Sequence, residues 1–467
     1  MKVALCHVGI RHIGFDAFYK IFSPGFDHVE SYHVDSYLVS NGMTSIGASL
    51  LKRGHEVVYV DLRMLGSWED VEDSLSKAKV EMVGCGFQTP NREYALKLCR
   101  IAKSMGLVTV VGGPHVTCAP EDILGCDEVD HLVVGEGELT LPAICDTYDA
   151  GGKPERLIEA EMVKDLSSLD LPYLSPLYEN VVKLKKCGFI VTSRGCPGRC
   201  YYCQPVMKKI YGNKIKFRSL DHVFKELDMY IHKLGIRKFY IMDDMFTTKK
   251  ERVLEFTSRL RSQGYNIEYD INARVDFFDE EMAYELASTG CGLVSFGFES
   301  GSNKKLKLIN KHTTREKNLE IGKLWKKTGK QVTANILVGI PGETEDDLAQ
   351  DYSFIEELGP DRLLFNYMVP YPGTEFFNIL SKQGALSTTD FGRYEMNLNK
   401  QFGTVKGVDY DMLHRWEPKF DKLRKKIFMK KCMRLLLKNP KLLFGQLMNY
   451  TLRDLANKLK TLYVGTP

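Results

Sequence analysis

The 467-residue chain has no apolar run near the roughly 18 to 20 residues that a membrane span requires. Its opening, MKVALCHVGI, lacks a basic region followed by a long apolar one, so no secretion is expected and the reading is cytoplasmic. Low-complexity segments are missing, and no Ser/His/Asp-type arrangement makes acid–base chemistry prominent. What is there is ordinary for a globular protein: 44% hydrophobic residues and 64 Lys+Arg against 60 Asp+Glu, which exclude disorder. At roughly 150 residues per domain the length holds two or three domains, each able to bury a core. Twelve cysteines without an export signal suggest a reducing compartment, where thiols are more often metal ligands or buried small hydrophobes than disulfides.

Residues 1–150 alternate short apolar strands (KVALCHV, EVVYVDL, VEMVGCGF, LVTVVGG, DHLVVG) with helical stretches near Thr44 to Lys52 and Glu93 to Lys103. That rhythm predicts an α/β fold with a Rossmann-like open parallel sheet, whose ligand sits at the carboxyl ends of its strands. Gly112-Gly113 and Gly135-Glu136-Gly137 mark such strand ends. Residues 151–185 lose the rhythm and read as a linker. A second alternation over residues 186–375 (FIVTS, KFYIMDD, IEYDINARV, GLVSFGFES, VTANILVGIP, LLFNYMVP) predicts a partial (β/α)6 barrel of the TIM type. Polar residues collect at its strand ends: Asp243, Asp244, Asn272, Arg274, Glu299, Ser300 and Asn335. Residues 376–467 read as a helical, basic C-terminal region. From Lys419 to Lys460 there are thirteen basic residues and two acidic ones, a net of about +11 that leaves about −7 for the rest of a chain totalling +4.

In SRGCPGRCYYCQ, Cys196, Cys200 and Cys203 are spaced C-x3-C-x2-C within a glycine- and proline-bearing loop. Three thiolates can hold a [4Fe–4S] cluster and leave one iron open, whereas four would close it. A zinc site is the alternative, but structural zinc usually takes four protein ligands and no fourth lies close in sequence.

This triad, with Tyr202 before the third cysteine, resembles the cluster motif of radical S-adenosylmethionine (SAM) enzymes. The segments MDDMFT, NARVD, FGFESGS, LVGIPGET and PYPGTEFF resemble barrel segments of the branch that carries an N-terminal cobalamin-binding domain. The resemblance implies that the open iron chelates SAM and that Tyr202 packs near the adenine. It further implies that Glu299 and Ser300 accept from the SAM amino group or ribose, and that Gly339, Pro341 and Gly342 bring backbone to the adenosine. Asp243, Asp244, Arg274 and Asn335 are polar candidates at the mouth. For residues outside the triad, helix capping and turns are the competing roles.

The N-terminal sheet resembles the cobalamin-binding domain of the same branch, in which VGGPHVT and VGEGELT look like the loops that take the nucleotide tail. The positions carried over are Gly86, Gln88, Thr89, Gly112, Gly113, His115, Gly135 and Gly137. The string Asp-x-His-x-x-Gly, by which such domains ligate cobalt, is missing. Cobalamin is therefore expected base-off with no histidine on the metal.

The resemblance implies a two-SAM cycle in which cobalt takes a methyl group from one SAM. A second SAM gives a 5′-deoxyadenosyl radical that abstracts hydrogen from an unactivated carbon, and that carbon collects the methyl group. Competing readings are an oxidative cyclase or ring-rearrangement enzyme, a tRNA methylthiotransferase and a non-catalytic cobalamin sensor. The methylthiotransferase should carry a second cysteine cluster, whereas Cys6, Cys85, Cys99, Cys118, Cys126 and Cys145 are scattered. The expected partners are a small-molecule substrate, with lipid, isoprenoid and tetrapyrrole as candidates, and a flavodoxin-like electron donor. Phe420, Leu423 and Ile427, at helical spacing among lysines, allow the basic region to lie at the inner membrane surface as an interfacial helix, or to cap the barrel. Nucleic acid is disfavoured by the lack of interleaved stacking aromatics.

Overall fold

The computed structural model describes residues 1–8, 39–203, 205–394 and 404–438. Strands β1 (Lys2–His7), β2 (Glu56–Asp61), β3 (Met82–Gly86), β4 (Val108–Gly112), β5 (His131–Val134) and β6 (Leu157–Glu159) form one parallel sheet in the order β2-β1-β3-β4-β5-β6. Its central strands are Val- and Leu-rich and buried on both faces, as helix-covered parallel strands must be. The direction of winding reverses between β1 and β3, which opens a crevice at the carboxyl ends.

The stretch 151–185 is more than a linker. It contributes β6, paired to β5 through Leu132–Leu157 and its neighbours, and the helix Pro176–Lys185. β6 escaped the sequence reading because its three residues, two half-buried and one exposed, carry little alternation.

The second sheet comprises β7 (Gly188–Ile190), β10 (Lys238–Ile241), β11 (Glu268–Ala273), β12 (Cys291–Glu299), β13 (Gln331–Val338) and β14 (Arg362–Tyr367), all parallel and in chain order. Six such strands make the partial barrel. A short antiparallel pair, β8 (Ser193–Arg194) and β9 (Lys216–Phe217), flanks the loop that follows β7. One apolar cluster runs from a face of the first sheet (Leu5, Met82, Val110, Val133) through Tyr178 into the barrel (Phe239, Ile271, Phe296), so the two sheets share a core.

The C-terminal helix Tyr410–Lys438 packs along β14 and the helix Glu345–Leu358. Phe420, Leu423 and Ile427 are buried there, with the Phe420 ring 4.4 Å from that of Phe365. This corrects the interfacial reading of that stripe: its apolar face is spent on the barrel, and Lys422, Lys425, Lys426 and Lys430 face outward. Residues Lys441, Arg453, Lys458 and Lys460 lie outside the described residues. Among the described residues no helix is long and apolar enough to cross a membrane.

Candidate active site

Between the two sheets lies a cavity of about 480 Å³. The first sheet contributes Gly84 and Gly86 from β3, Gly112 and Gly113 after β4, and Gly135, Glu136 and Gly137 after β5. The barrel side contributes Val191, Ser193, Arg194, Val206, Ile210, Tyr211, Met242 and Asp244. Glycine is required at Gly113, where φ is +86° and a Cβ would fall 2.7 Å from the Phe87 nitrogen. The result is a slot of bare backbone, suited to a large planar or extended ligand that must approach the strand ends.

Three of the positions carried over to this slot by resemblance, Gln88, Thr89 and His115, lie elsewhere. His115 is buried, with Nδ1 3.0 Å from Thr89 Oγ1 and Nε2 3.0 Å from Asp122 Oδ2, and its ring stacks on Phe87. Its two nitrogens are committed to the fold, and Thr89 with them. Gln88 is exposed and does not line the cavity. Gly86, Gly112, Gly113, Gly135 and Gly137 do. Among the described lining residues the only histidine is His222, whose Nδ1 accepts from Arg218 Nε at 3.2 Å. Burial and the Arg218 charge push its pKa down to about 4, so the ring is neutral near pH 7.

The cysteine loop leaves β8 at Arg194. Asp243, at the end of β10, fastens this corner: it accepts from Thr192 N at 2.5 Å and from the Thr192 and Ser193 hydroxyls, each at 2.6 Å. Its carboxylate is thereby used up in holding the loop. Asp244 instead is exposed to the cavity.

Cys200 is buried, and Cys196 and Cys203 are half-buried beside it. Burial and the neighbouring Cys200 and Cys196 push the Cys203 thiol up to about 12. Adjacent thiolates repel one another, and a shared iron–sulfur cluster removes that cost, so this donor set fits. Among the described residues no three His, Cys, Asp or Glu side chains converge on a single-ion site. A cubane places its thiolates on separate irons, so its ligands need not meet as they would around zinc.

Arg274, after β11, donates from Nη1 to Cys200 Sγ at 3.0 Å and from Nη2 to the Lys311 carbonyl at 2.9 Å. Burial works against its charge, but Asp276 and Cys200 more than compensate and raise its pKa. On the opposite side, Lys311 Nζ lies 3.0 Å from Glu299 Oε1 and 3.3 Å from the Tyr202 hydroxyl. Glu299 adopts φ +66°, a left-handed conformation that a non-glycine residue holds at a cost of roughly 1 to 2 kcal/mol. Cys196, Cys200, Cys203, Tyr202, Arg274, Glu299 and Lys311 thus form one neighbourhood.

The remaining candidates are engaged in the scaffold. Ser300 donates to Asp351 Oδ1 at 2.5 Å and accepts from Ser302 N at 2.9 Å. Asn335 donates to Ser295 Oγ and the Phe296 carbonyl on β12. Gly339 N donates to Glu343, whose carboxylate also pairs with the buried Lys305. Gly339 and Gly342 have φ of +78° and +81°, and Pro341 between them is half-buried. Lys311 was missed by sequence reasoning. Its one signal, a lysine nine residues beyond FGFESGS, is too common to stand out.

The Radical SAM superfamily model matches residues 190–355, and the B12 binding domain model matches residues 32–145. The chain belongs to the cobalamin-binding radical SAM family. Its cofactors are accordingly a [4Fe–4S] cluster, SAM and cobalamin. This cobalamin-binding radical SAM protein is 28% identical over 367 residues to an uncharacterized methyltransferase of Pyrococcus horikoshii, covering 74% of this chain and 80% of the relative. It is 25% identical over 376 residues to the anaerobic magnesium-protoporphyrin IX monomethyl ester cyclase of Rubrivivax gelatinosus, covering 74% and 67%. The solved radical SAM methyltransferase TsrM of Kitasatospora setae, with tryptophan and a SAM analogue bound, superposes with a TM-score of 0.66. That match covers 83% of this chain and 77% of TsrM at 18% identity, a likeness of fold. Of the N-terminal cysteines, Cys6, Cys85, Cys99 and Cys145 are buried in apolar clusters.

Proposed function

We propose that the chain is a cobalamin-dependent radical SAM C-methyltransferase acting on an unactivated carbon of a small molecule. One observation carries this reading. A single cavity is walled by the glycine loops suited to cobalamin and by Ser193, Arg194 and Asp244, which surround the start of the cluster loop. The cluster loop thus starts at the wall of the cavity that the glycine loops line, which supports transfer of a methyl group between the two cofactors and a substrate.

When bound, the cluster supplies the electron that cleaves SAM, and cobalamin carries the methyl group. The chain's own residues hold and shield these groups. Cys196, Cys200 and Cys203 hold the cluster. Lys311, kept in place by Glu299, offers an ammonium to the SAM carboxylate, and Glu299 is placed to accept from its amino group. The backbone at Gly339, Pro341 and Gly342 leaves room for the adenosine. Val191, Val206, Ile210 and Met242 give the barrel side of the cavity an apolar wall that keeps water from a radical.

That wall favours a substrate with an apolar, planar body. The similarity to relatives named for magnesium-protoporphyrin and to a structure holding tryptophan supports an aromatic or tetrapyrrole class. The cyclase relative also keeps oxidative ring closure as a second reading. A flavodoxin-like protein is the proposed electron donor. Any contact with a membrane would rest on the outward basic residues, since the apolar stripe is buried.

The test is anaerobic reconstitution with cobalamin and methyl-labelled SAM, followed by incubation with tetrapyrrole and indole substrates. Label in a new carbon–methyl bond supports methyl transfer. Unlabelled, ring-closed product with 5′-deoxyadenosine release would replace it by the cyclase reading.

A further inference from the structure

The two cofactor loops are joined by a salt-bridge cluster. Arg194 stands two residues before Cys196, and Glu136 and Glu138 lie in the Gly135–Gly137 turn and the helix it opens. Arg194 donates from Nη1 to Glu136 Oε1 at 2.8 Å and from Nη2 to Glu138 Oε1 at 2.5 Å. Glu136 also accepts from the Tyr211 hydroxyl at 2.5 Å and from Val163 N at 2.8 Å. Both glutamates are buried, at 6% and 4% exposure, so neither is a surface partner of little consequence.

The backbone leaves little slack on either side. Gly195, between Arg194 and Cys196, has φ +104°, and a Cβ there would collide with the Lys214 carbonyl. On the other side Gly135 has φ +116° and packs against Ala160. A shift of the guanidinium would therefore move the first cluster ligand or take the charge partner from buried Glu138, while Glu136 kept only Tyr211, Val163 N and the more distant Lys216, and the second outcome is costly.

We propose that Arg194 is a positioning residue that couples the cobalamin loop to the cluster loop, so that occupancy of one cofactor site strengthens the other. The inference rests on the functional reading above, because it assigns cobalamin to the Gly135–Gly137 loop. Arg194 lines the cavity, and its side-chain hydrogen bonds go to Glu136 and Glu138. It acts through Glu136 and Glu138 on one side and through Cys196 on the other. Coupling between sites of this kind is typically about 5- to 150-fold and is reciprocal.

The test uses the full chain, reconstituted anaerobically with iron and sulfide and titrated with hydroxocobalamin by absorbance. The cluster-free reference is the triple variant Cys196→Ala/Cys200→Ala/Cys203→Ala. Cluster-loaded wild type should bind hydroxocobalamin at least about fivefold more tightly than this reference. Arg194→Met should still take four irons, yet its affinity should fall to that of the cluster-free chain. Arg194→Lys should recover part of the gain. Glu138→Gln, which keeps shape and loses charge, should weaken the coupling while retaining iron, and it stands in if Arg194→Met does not fold. Addition of cobalamin should also alter the electron paramagnetic resonance of the reduced wild-type cluster, and should leave that of Arg194→Met unchanged. Equal cobalamin affinities in cluster-loaded wild type and the triple cysteine variant, or full coupling in both Arg194→Met and Glu138→Gln, would overturn the proposal. A wild-type chain that binds no cobalamin would overturn the functional reading instead, and the coupling with it.

Discussion

Arg274 presents Nη1 to Cys200 Sγ at 3.0 Å while gripping Asp276 through Nε and Nη2 at 2.9 and 2.7 Å. The carboxylate fixes the plane of the guanidinium, so the sulfur receives a charge-assisted hydrogen bond from a donor with little freedom to turn away. Donors to cluster sulfurs are among the levers by which a protein sets reduction potential.

Arg274→Met should therefore make the cluster potential more negative. Loss of an outer-shell partner typically lowers metal retention or activity by about 10- to 100-fold. Redox titration followed by electron paramagnetic resonance checks the direction, and an unchanged potential with full iron content would remove Arg274 from this role. Replacing Cys196, Cys200 and Cys203 together by Ala should abolish both cluster absorbance and reductive SAM cleavage.

Cobalamin should bind with no protein nitrogen on cobalt. Among the described lining residues His222 is the only histidine, and its Nδ1 lone pair is engaged by Arg218. The Co(II) form should show no nitrogen superhyperfine splitting. A nitrogen triplet would contradict this and direct attention to His12, His28 and His33, which lie outside the described residues.

Asp347 should shape acid stability. Burial would raise its pKa, but donation from Lys304, Ser302 and Thr344 outweighs burial and holds the carboxyl down to about 2. Its folded pKa thus lies below the unfolded value of about 3.9. The stabilisation, about 2 kcal/mol, is present above pH 4 and is lost as pH falls toward 2. Asp347→Asn should lower the melting temperature at neutral pH, with the gap to wild type closing as pH approaches 2. A gap independent of pH would show that capping geometry, rather than charge, is what Asp347 supplies.

Phe420 belongs to the barrel. Phe420→Ala should destabilise the chain by about 3 to 5 kcal/mol, as expected for a buried aromatic. Its folded form should bind anionic vesicles as wild type does. Any vesicle binding should instead fall with salt and with neutralisation of Lys422, Lys425, Lys426 and Lys430. Loss of vesicle binding in folded Phe420→Ala would restore the interfacial reading of this residue.

What the sequence disclosed follows from how local each feature is. The β-branched runs of the parallel strands, the cysteine spacing and the glycine corners are all contained within about ten residues, and each maps onto a strand or loop in the structure. The Arg194 link is different, because its partners are 58 and 56 residues away and only the docking of two sheets brings them together. Asp243 and Ser300 looked like ligand donors because a sequence shows a polar group at a strand end without showing what already bonds to it. The Phe420, Leu423 and Ile427 stripe has the spacing of a helix laid on any apolar surface, so periodicity alone did not choose between a bilayer and β14. β6 was lost inside a presumed linker because a three-residue strand has too few positions to show a period.

The cavity wall begins at Leu5 and is not finished until Asp244. During synthesis, then, the first sheet can form with its glycine loops in place while half of the cofactor chamber is still missing. The roof arrives only with the helix Pro205–Tyr211, which carries Tyr211, and the end of β10. A complete cavity for a cofactor therefore exists only once the chain has reached Asp244. An N-terminal fragment ending before the barrel would offer cobalamin a floor without the wall that Tyr211 and Asp244 complete.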